Sequence, residues 1–166
     1  MIRATVSVQR NGEFEKRLEQ IVKNAKGPAS VKVGLPAGKV SPSVIQIGFW
    51  NHEGTNRAKG DVFFRNGKVG ISGPIPARPF ITVAMFKGRG QIRAQLRNIA
   101  KKVVEGKALL PQEMELLGQF GADLIKDQIS SGMGPPNSAM TVALKGSAQT
   151  LNDTGRLVAS VTHEVE

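Results

Sequence analysis

PFITVAMFKGRGQIRAQLRNIAKKVVE, residues 79–105, is the longest stretch with a single unbroken pattern. Ile81, Ala84, Met85, Gly88, Ile92, Leu96, Ile99 and Val103 recur at steps of three or four, the period that sets side chains on one helical face. The phase persists through Gly88 and Gly90, although each glycine costs ~1 kcal/mol relative to alanine. The spacing predicts one helix from Pro79 to Glu105, with the glycines as the place for a bend. Beside the apolar stripe, Arg89, Arg93, Arg97 and Lys101 recur every four residues and form a cationic ridge of ~18 Å at 1.5 Å per residue. Four like charges in a row repel, and on this reading no acid four residues away relieves them. The ridge therefore points to an anionic partner: first the carboxylates of another protein or a neighbouring subunit, then the phosphates of nucleic acid. Plain solvent exposure is the bland alternative.

Working outward, a second helix starts at Pro111, which suits a first helical position, and carries the stripe Met114, Leu117, Gly121, Leu124, Ile125 and Gln128 before Ser131-Gly132 stops it. Upstream, Ile2, Ala4, Val6 and Val8 alternate with polar residues and predict a strand, after which Asn11 can cap a helix bearing Phe14, Leu18, Ile21, Val22 and Ala25. Val31, Val33 and Leu35 predict a second strand. Val44 to Trp50 is more continuously apolar than the other expected strands and is expected as a third, central strand. Asn66-Gly67 between Phe63-Phe64-Arg65 and Lys68-Val69-Gly70-Ile71 is a hairpin signal. Residues 132–150 are expected as loop with a short helical turn near Val142. Asp153 is expected to cap a short helix through Leu157, and Val161, His163 and Val165 predict a closing strand. The order gives one α+β domain over residues 1–166: a mostly antiparallel sheet packed on one side by two long helices. Residues 51–74 form an exposed loop and hairpin on this reading, and 132–150 an extended surface loop.

The net charge of +10 is unevenly placed. Residues 1–77 and 78–107 each carry +7, whereas 108–166 carry −4. That polarity suits a chain that binds another copy of itself or joins two different partners. With no cysteine there is neither a disulfide framework nor a thiolate metal site, and two histidines make a structural zinc site improbable. No apolar run approaches ~20 residues, so no membrane-spanning helix is expected. Met1-Ile2-Arg3-Ala4-Thr5 lacks the features of a secretory signal, and the expectation is a soluble basic domain made inside the cell.

Catalytic patterns are weak throughout. Asp153-Thr154-Gly155 has the triplet of retroviral-type aspartic proteases, but the 11 residues after Gly155 cannot build the rest of that fold. An aspartate cap with a nearby glycine is the simpler reading. His52-Glu53 and His163-Glu164 are single histidines beside single carboxylates, expected as ordinary surface histidines. Gly132-Met133-Gly134-Pro135-Pro136 is glycine-rich, yet its prolines remove the amides a phosphate cradle needs. The expectation is a protein without catalytic residues, cofactor or metal. Few aromatics, no tyrosine and no base-reading motif weigh against sequence-specific DNA recognition.

Three stretches carry a family resemblance. The first is Val44-Ile45-Gln46-Ile47-Gly48-Phe49-Trp50-Asn51-His52-Glu53-Gly54-Thr55, and the second is Ile75-Pro76-Ala77-Arg78-Pro79-Phe80-Ile81. The third runs from Pro135-Pro136-Asn137-Ser138 through Thr141–Ser147 to Leu151-Asn152-Asp153-Thr154-Gly155-Arg156-Leu157 and on to Val161. In this order they resemble the minor tail and head–tail joining proteins of tailed bacteriophages, including tail-completion and virion-morphogenesis relatives. The resemblance covers roughly residues 30–166. It implies a non-enzymatic virion component at the neck or head-proximal tail, assembled as a ring, often six-fold, through which the genome passes. The partners it implies are further copies of the chain, other neck and tail proteins, and non-specific contact with passing DNA, without a membrane.

The motif residues then acquire implied roles. Pro76 and Pro79 fix an extended entry to the long helix and Phe80 anchors it, with Glu53 and Gly54 in the loop motif. Arg78 pairs with an acidic group on the sheet or a neighbour. Pro135, Pro136, Asn137 and Lys145 belong to a loop suited to subunit contacts, and Asp153 with Gly155 opens the last helix. In a heterologous ring, the basic helix on one side of each subunit meets the acidic C-terminal portion of the next. A small basic nucleic-acid-binding protein using the arginine ridge is the alternative.

Overall fold

The computed structural model describes residues 12–56, 62–65, 68–71 and 73–166, and within them helix outweighs strand. The order is α1 (Gly12–Asn24), β1 (Val31–Gly34), α2 (Pro42–Glu53), β2 (Val62–Arg65), β3 (Lys68–Ile71), α3 (Phe80–Val104), α4 (Leu110–Ser130), α5 (Ala139–Lys145), α6 (Arg156–Ser160) and β4 (Thr162–Val165). The expected strand over 2–8, the Asn11 cap and the Asn66-Gly67 turn lie outside the described residues. β2 and β3 pair antiparallel with Arg65 opposite Lys68, as the hairpin signal predicts.

Two long helices organise the rest. Pro111 sits in the first turn of α4, where its missing amide costs no helical hydrogen bond. α3 and α4 run antiparallel: Lys87 Nζ donates to Gln128 Oε1 at 2.9 Å near one end, and Lys102 meets the Glu113 carboxylate at 2.9 Å near the other. Next to the Lys87–Gln128 contact, Leu124 lies directly over Gly88, where a β-carbon would collide with it. Gly88 therefore serves close helix approach, whereas a β-carbon at Gly90 would meet nothing within 4 Å, and α3 is continuous through both.

α4 also carries the only other described ladder, on a face beside the one that meets α3. β1 and β4 form an antiparallel ribbon in which Val33 faces His163 across the register. Both side chains rest on glycines of α4: Val33 lies 3.0 Å from where a β-carbon of Gly121 would stand, and His163 fills the space beside Gly118. Past the ladder, the Ala29 and Ser30 amides donate to the Glu166 carbonyl at 3.0 Å, which extends the ribbon to the last residue.

The sheet-dominated architecture is corrected by these elements. Among the described residues there are two separate two-stranded ribbons rather than one larger sheet, and α3 packs on α4 rather than beside it on strands. The expected third strand at Val44–Trp50 is helical. Ser41 is extended (φ −63°, ψ 141°), Pro42 opens the helix, and Gly54 ends it with its amide donating to the Trp50 carbonyl at 2.9 Å. The segment is apolar nearly all round, with Val44 and Gly48 buried while Ile47 and Phe49 are exposed. An apolar run of this kind has no period to separate strand from helix, and the Ser-Pro start is the signal that decides it.

The core joins α2, α3, α4, α6 and the segments between them: Val40, Val44, Phe80, Ala84, Ala122, Ile125, Ile129, Leu151, Leu157 and Val161. Phe80, Ile125 and Ile129 are fully buried, each worth about 1.5–3 kcal/mol in transfer from water.

Candidate functional site

The three motif stretches meet in space, and Arg78 is where they meet. The end of α2 lies along the chain that enters α3. The Arg78 amide donates to the Asn51 carbonyl at 2.8 Å, and the Thr55 amide donates to the Ile75 carbonyl at 2.8 Å. In return the Ile75 amide donates to Thr55 Oγ1 at 3.0 Å. Gly54 makes this approach possible. It has φ 78°, and a β-carbon there would stand 2.8 Å from both the Ala77 nitrogen and the Ile75 oxygen. Two backbones touch with no side chain between them.

From that backbone the Arg78 side chain runs inward and is only 4% exposed. Its Nε donates to the Pro135 carbonyl at 2.9 Å, and Nη2 donates to the Pro136 carbonyl at 3.4 Å and to Asn137 Oδ1 at 3.3 Å. The Gly134–Pro135 peptide is cis. Asn137 continues the chain of contacts, its Nδ2 donating to the Ala148 and Gln149 carbonyls at 3.4 and 3.1 Å. The Met133 amide donates to Thr150 Oγ1 at 2.8 Å, so the two ends of the 133–150 segment are tied together. The implied acidic partner of Arg78 is corrected here: the guanidinium is held by three neutral oxygens. Burial pushes its pKa below the usual arginine range, and the cation persists because those oxygens are arranged around it.

Around this knot, Pro76 is exposed, Pro79 precedes the first residue of α3, and Phe80 is completely buried. The His52 ring meets Phe80 edge-on at 5.5 Å, its Nδ1 lies 2.7 Å from Glu53 Oε1, and its Nε2 lies 3.3 Å from Thr82 Oγ1. His52 and His163 were expected at the surface, yet their side chains are only 19% and 15% exposed. His163 pairs with Glu115 of α4 at 2.8 Å rather than with its neighbour Glu164, since adjacent strand residues face opposite ways.

Lys145 at the end of α5 donates to the Gln149 carbonyl. Ser138, not an aspartate, caps α5 by accepting from the Thr141 amide at 3.2 Å. The expected cap at Asp153 is corrected as well. The residue preceding α6 is Gly155 at φ 73°, without a side-chain cap, and Asn152 Oδ1 accepts the Gly155 amide at 3.0 Å. Asn152 closes the turn that Asp153 was expected to make.

The cationic ridge is exposed along its whole length: Arg89, Arg93, Arg97 and Lys101 all face solvent. Arg89 stacks over the Phe86 ring at 3.9 Å, and Lys101 has Glu105 four residues on at 3.9 Å, so the expected lack of a compensating acid is wrong at that end. Arg93 and Arg97 have no carboxylate within 4.0 Å among the described residues.

Sequence reasoning passed over a second row. Glu115, Gln119, Asp123 and Asp127 also stand four apart, on the solvent side of α4, and the four-residue period was the signal that could have found them. It passed over Asn51 and Thr150 too, whose roles depend on contacts across many residues. Among the described residues, no three histidine, aspartate or glutamate side chains gather as a metal cluster and no helix is long and apolar enough to cross a membrane. Comparison with protein-family models, with curated proteins and with solved structures returns no match.

Proposed function

We propose that this chain is a non-enzymatic structural subunit of a tailed-phage virion, placed at the neck or head-proximal tail and assembled as a ring that joins or completes the tail and lets DNA pass. One observation carries the reading. The first and third stretches on which the phage resemblance rests are separated by 79 residues in the chain, yet Arg78 and Asn51 bind all three into one unit. A shared structural unit is what such a resemblance needs if it reflects a common scaffold rather than chance matches. The knot's polar groups tie segment to segment, which suits a rigid subunit. Exposed Phe49 and Ile47 on α2 and Leu116 on α4 supply apolar area for contact with neighbours.

Negative-stain imaging of the purified protein, with its mass measured by light scattering, tests the reading. Uniform rings with a central opening are the expected result. A monomer at every concentration and at low salt overturns it.

A nucleic-acid-binding role is the second reading, favoured by Arg93 and Arg97 standing exposed without an acidic partner among the described residues. It predicts affinity for duplex DNA that falls linearly in log–log form with salt, by a slope of about −0.9 per phosphate contacted.

A further inference from the structure

We propose that the cationic row of α3 in one copy of this chain docks on the acidic row of α4 in a second copy. The inference rests on the ring reading and names the surfaces that make its contact. Arg89 to Lys101 is twelve helical steps, as is Glu115 to Asp127. At 1.5 Å per residue each row is ~18 Å long, so the four cations and the three carboxylates share one spacing and are opposite in sign, with the neutral Gln119 in the acidic row. Both rows follow the every-fourth-residue ridge of their helix. Ridges of that type packed together give the commonest helix crossing, about −50°.

The surroundings fit the same occupant. Phe86 and Val104, 63% and 51% exposed, lie at the two ends of the cationic row, and Leu116, 64% exposed, lies inside the acidic one. Exposed apolar side chains interleaved with complementary charge are the makings of an interface that excludes water at its centre and orients itself by charge. A nucleic acid satisfies the arginines but leaves the acidic row and these apolar residues without a partner. A second copy satisfies both. Within one copy the acids are only lightly engaged: Asp123 meets Lys126 at 3.7 Å and Gln119 at 3.0 Å, and Glu115 meets His163 at 2.8 Å.

The experiment measures self-association of the full chain by sedimentation at low and moderate salt, with circular dichroism confirming the fold of each variant. Arg93→Glu with Arg97→Glu is expected to weaken association at least tenfold, and Asp123→Arg with Asp127→Arg to do the same. The four changes together are expected to restore it, because the rows then attract with signs exchanged. Mixing the two reversed variants is also expected to restore association, because in an alternating assembly the acidic α3 row of one meets the basic α4 row of the other, and the reverse, at every contact. Rings that persist in both reversed variants overturn the row pairing and leave the ring reading standing. A wild type that never associates overturns both. Reversals that each weaken assembly without mutual rescue also overturn the pairing, and loss of duplex-DNA binding in the arginine variant alone then assigns that row to nucleic acid.

Discussion

Arg78 and Arg93 carry the same guanidinium, one at the entrance to α3 and the other midway along it, and the fold treats them in opposite ways. Arg78 is buried, and its Nε and Nη2 reach three oxygens at 2.9 to 3.4 Å. Arg93 stands in solvent with no carboxylate within reach among the described residues. Removing a buried donor strands the acceptors it served, whereas removing an exposed one leaves water to take its place. The first arginine holds the subunit together. The second has consequences only when something binds it.

The comparison breaks most sharply at Arg78 itself. Arg78→Ala leaves the Pro135 and Pro136 carbonyls and Asn137 Oδ1 without their donor and opens space beneath them. Orphaned buried groups cost about 1–3 kcal/mol each, and because Pro135 and Pro136 are themselves exposed residues, water replaces part of the lost donation; the expected loss is about 3 kcal/mol, read by urea unfolding. Arg78→Lys, with one compact charge in place of a planar fork, recovers only part of it. A loss below ~1 kcal/mol contradicts the knot.

The next effect lies in the same region. Gly54→Ala puts a β-carbon against the Ala77 nitrogen and Ile75 oxygen at a φ of 78°. Neither contact is the end of a flexible side chain, so backbone must move, and the cost is expected to be about 2 kcal/mol or more. Its signature is faster exchange of the Thr55 and Arg78 amides. Unchanged exchange means the two strands of chain do not depend on their close approach.

These positions also show how much could be read beforehand. α3 and α4 were legible because their apolar residues keep one phase over many turns, and β1 and β4 because theirs alternate. α2 was not, because Val44–Trp50 is apolar on several sides and its buried face holds a glycine. Arg78 stood out beside two prolines, but its partners are carbonyl groups, which every residue has and no side-chain pattern reveals. The acidic group that the resemblance implied for it is not among its partners within the chain, which are two backbone carbonyls and the Asn137 side-chain oxygen. The acidic row of α4 was passed over, although the four-residue spacing of Glu115, Gln119, Asp123 and Asp127 carries it.

On the exposed side of the comparison, Arg93→Ala is expected to change unfolding stability by no more than about 0.5 kcal/mol, as surface substitutions usually do. The same variant is expected to weaken self-association in the sedimentation measurement. A large loss of stability with intact association places Arg93 with Arg78 among the arginines that hold the subunit together, and the contrast between the two collapses.

The smallest effect concerns a pair that is exposed yet joins β1 to Glu166. Lys32 Nζ lies 2.6 Å from Glu166 Oε1, beside the ribbon that β1 and β4 form. The hydrogen bond from Lys32 to Glu166, with the attraction of that carboxylate, raises the Lys32 pKa above its ordinary 10.5. A cation whose folded pKa is raised favours the folded state fully below the unfolded pKa, and that contribution disappears as pH rises through the folded value. Wild type is therefore expected to be slightly more stable than Lys32→Met at neutral pH. The gap should shrink with added salt and close in strongly alkaline solution, because both groups are exposed to water and screening is strong. A gap that persists after Lys32 has lost its proton means that packing of the lysine stem, rather than its charge, holds the last residue to β1.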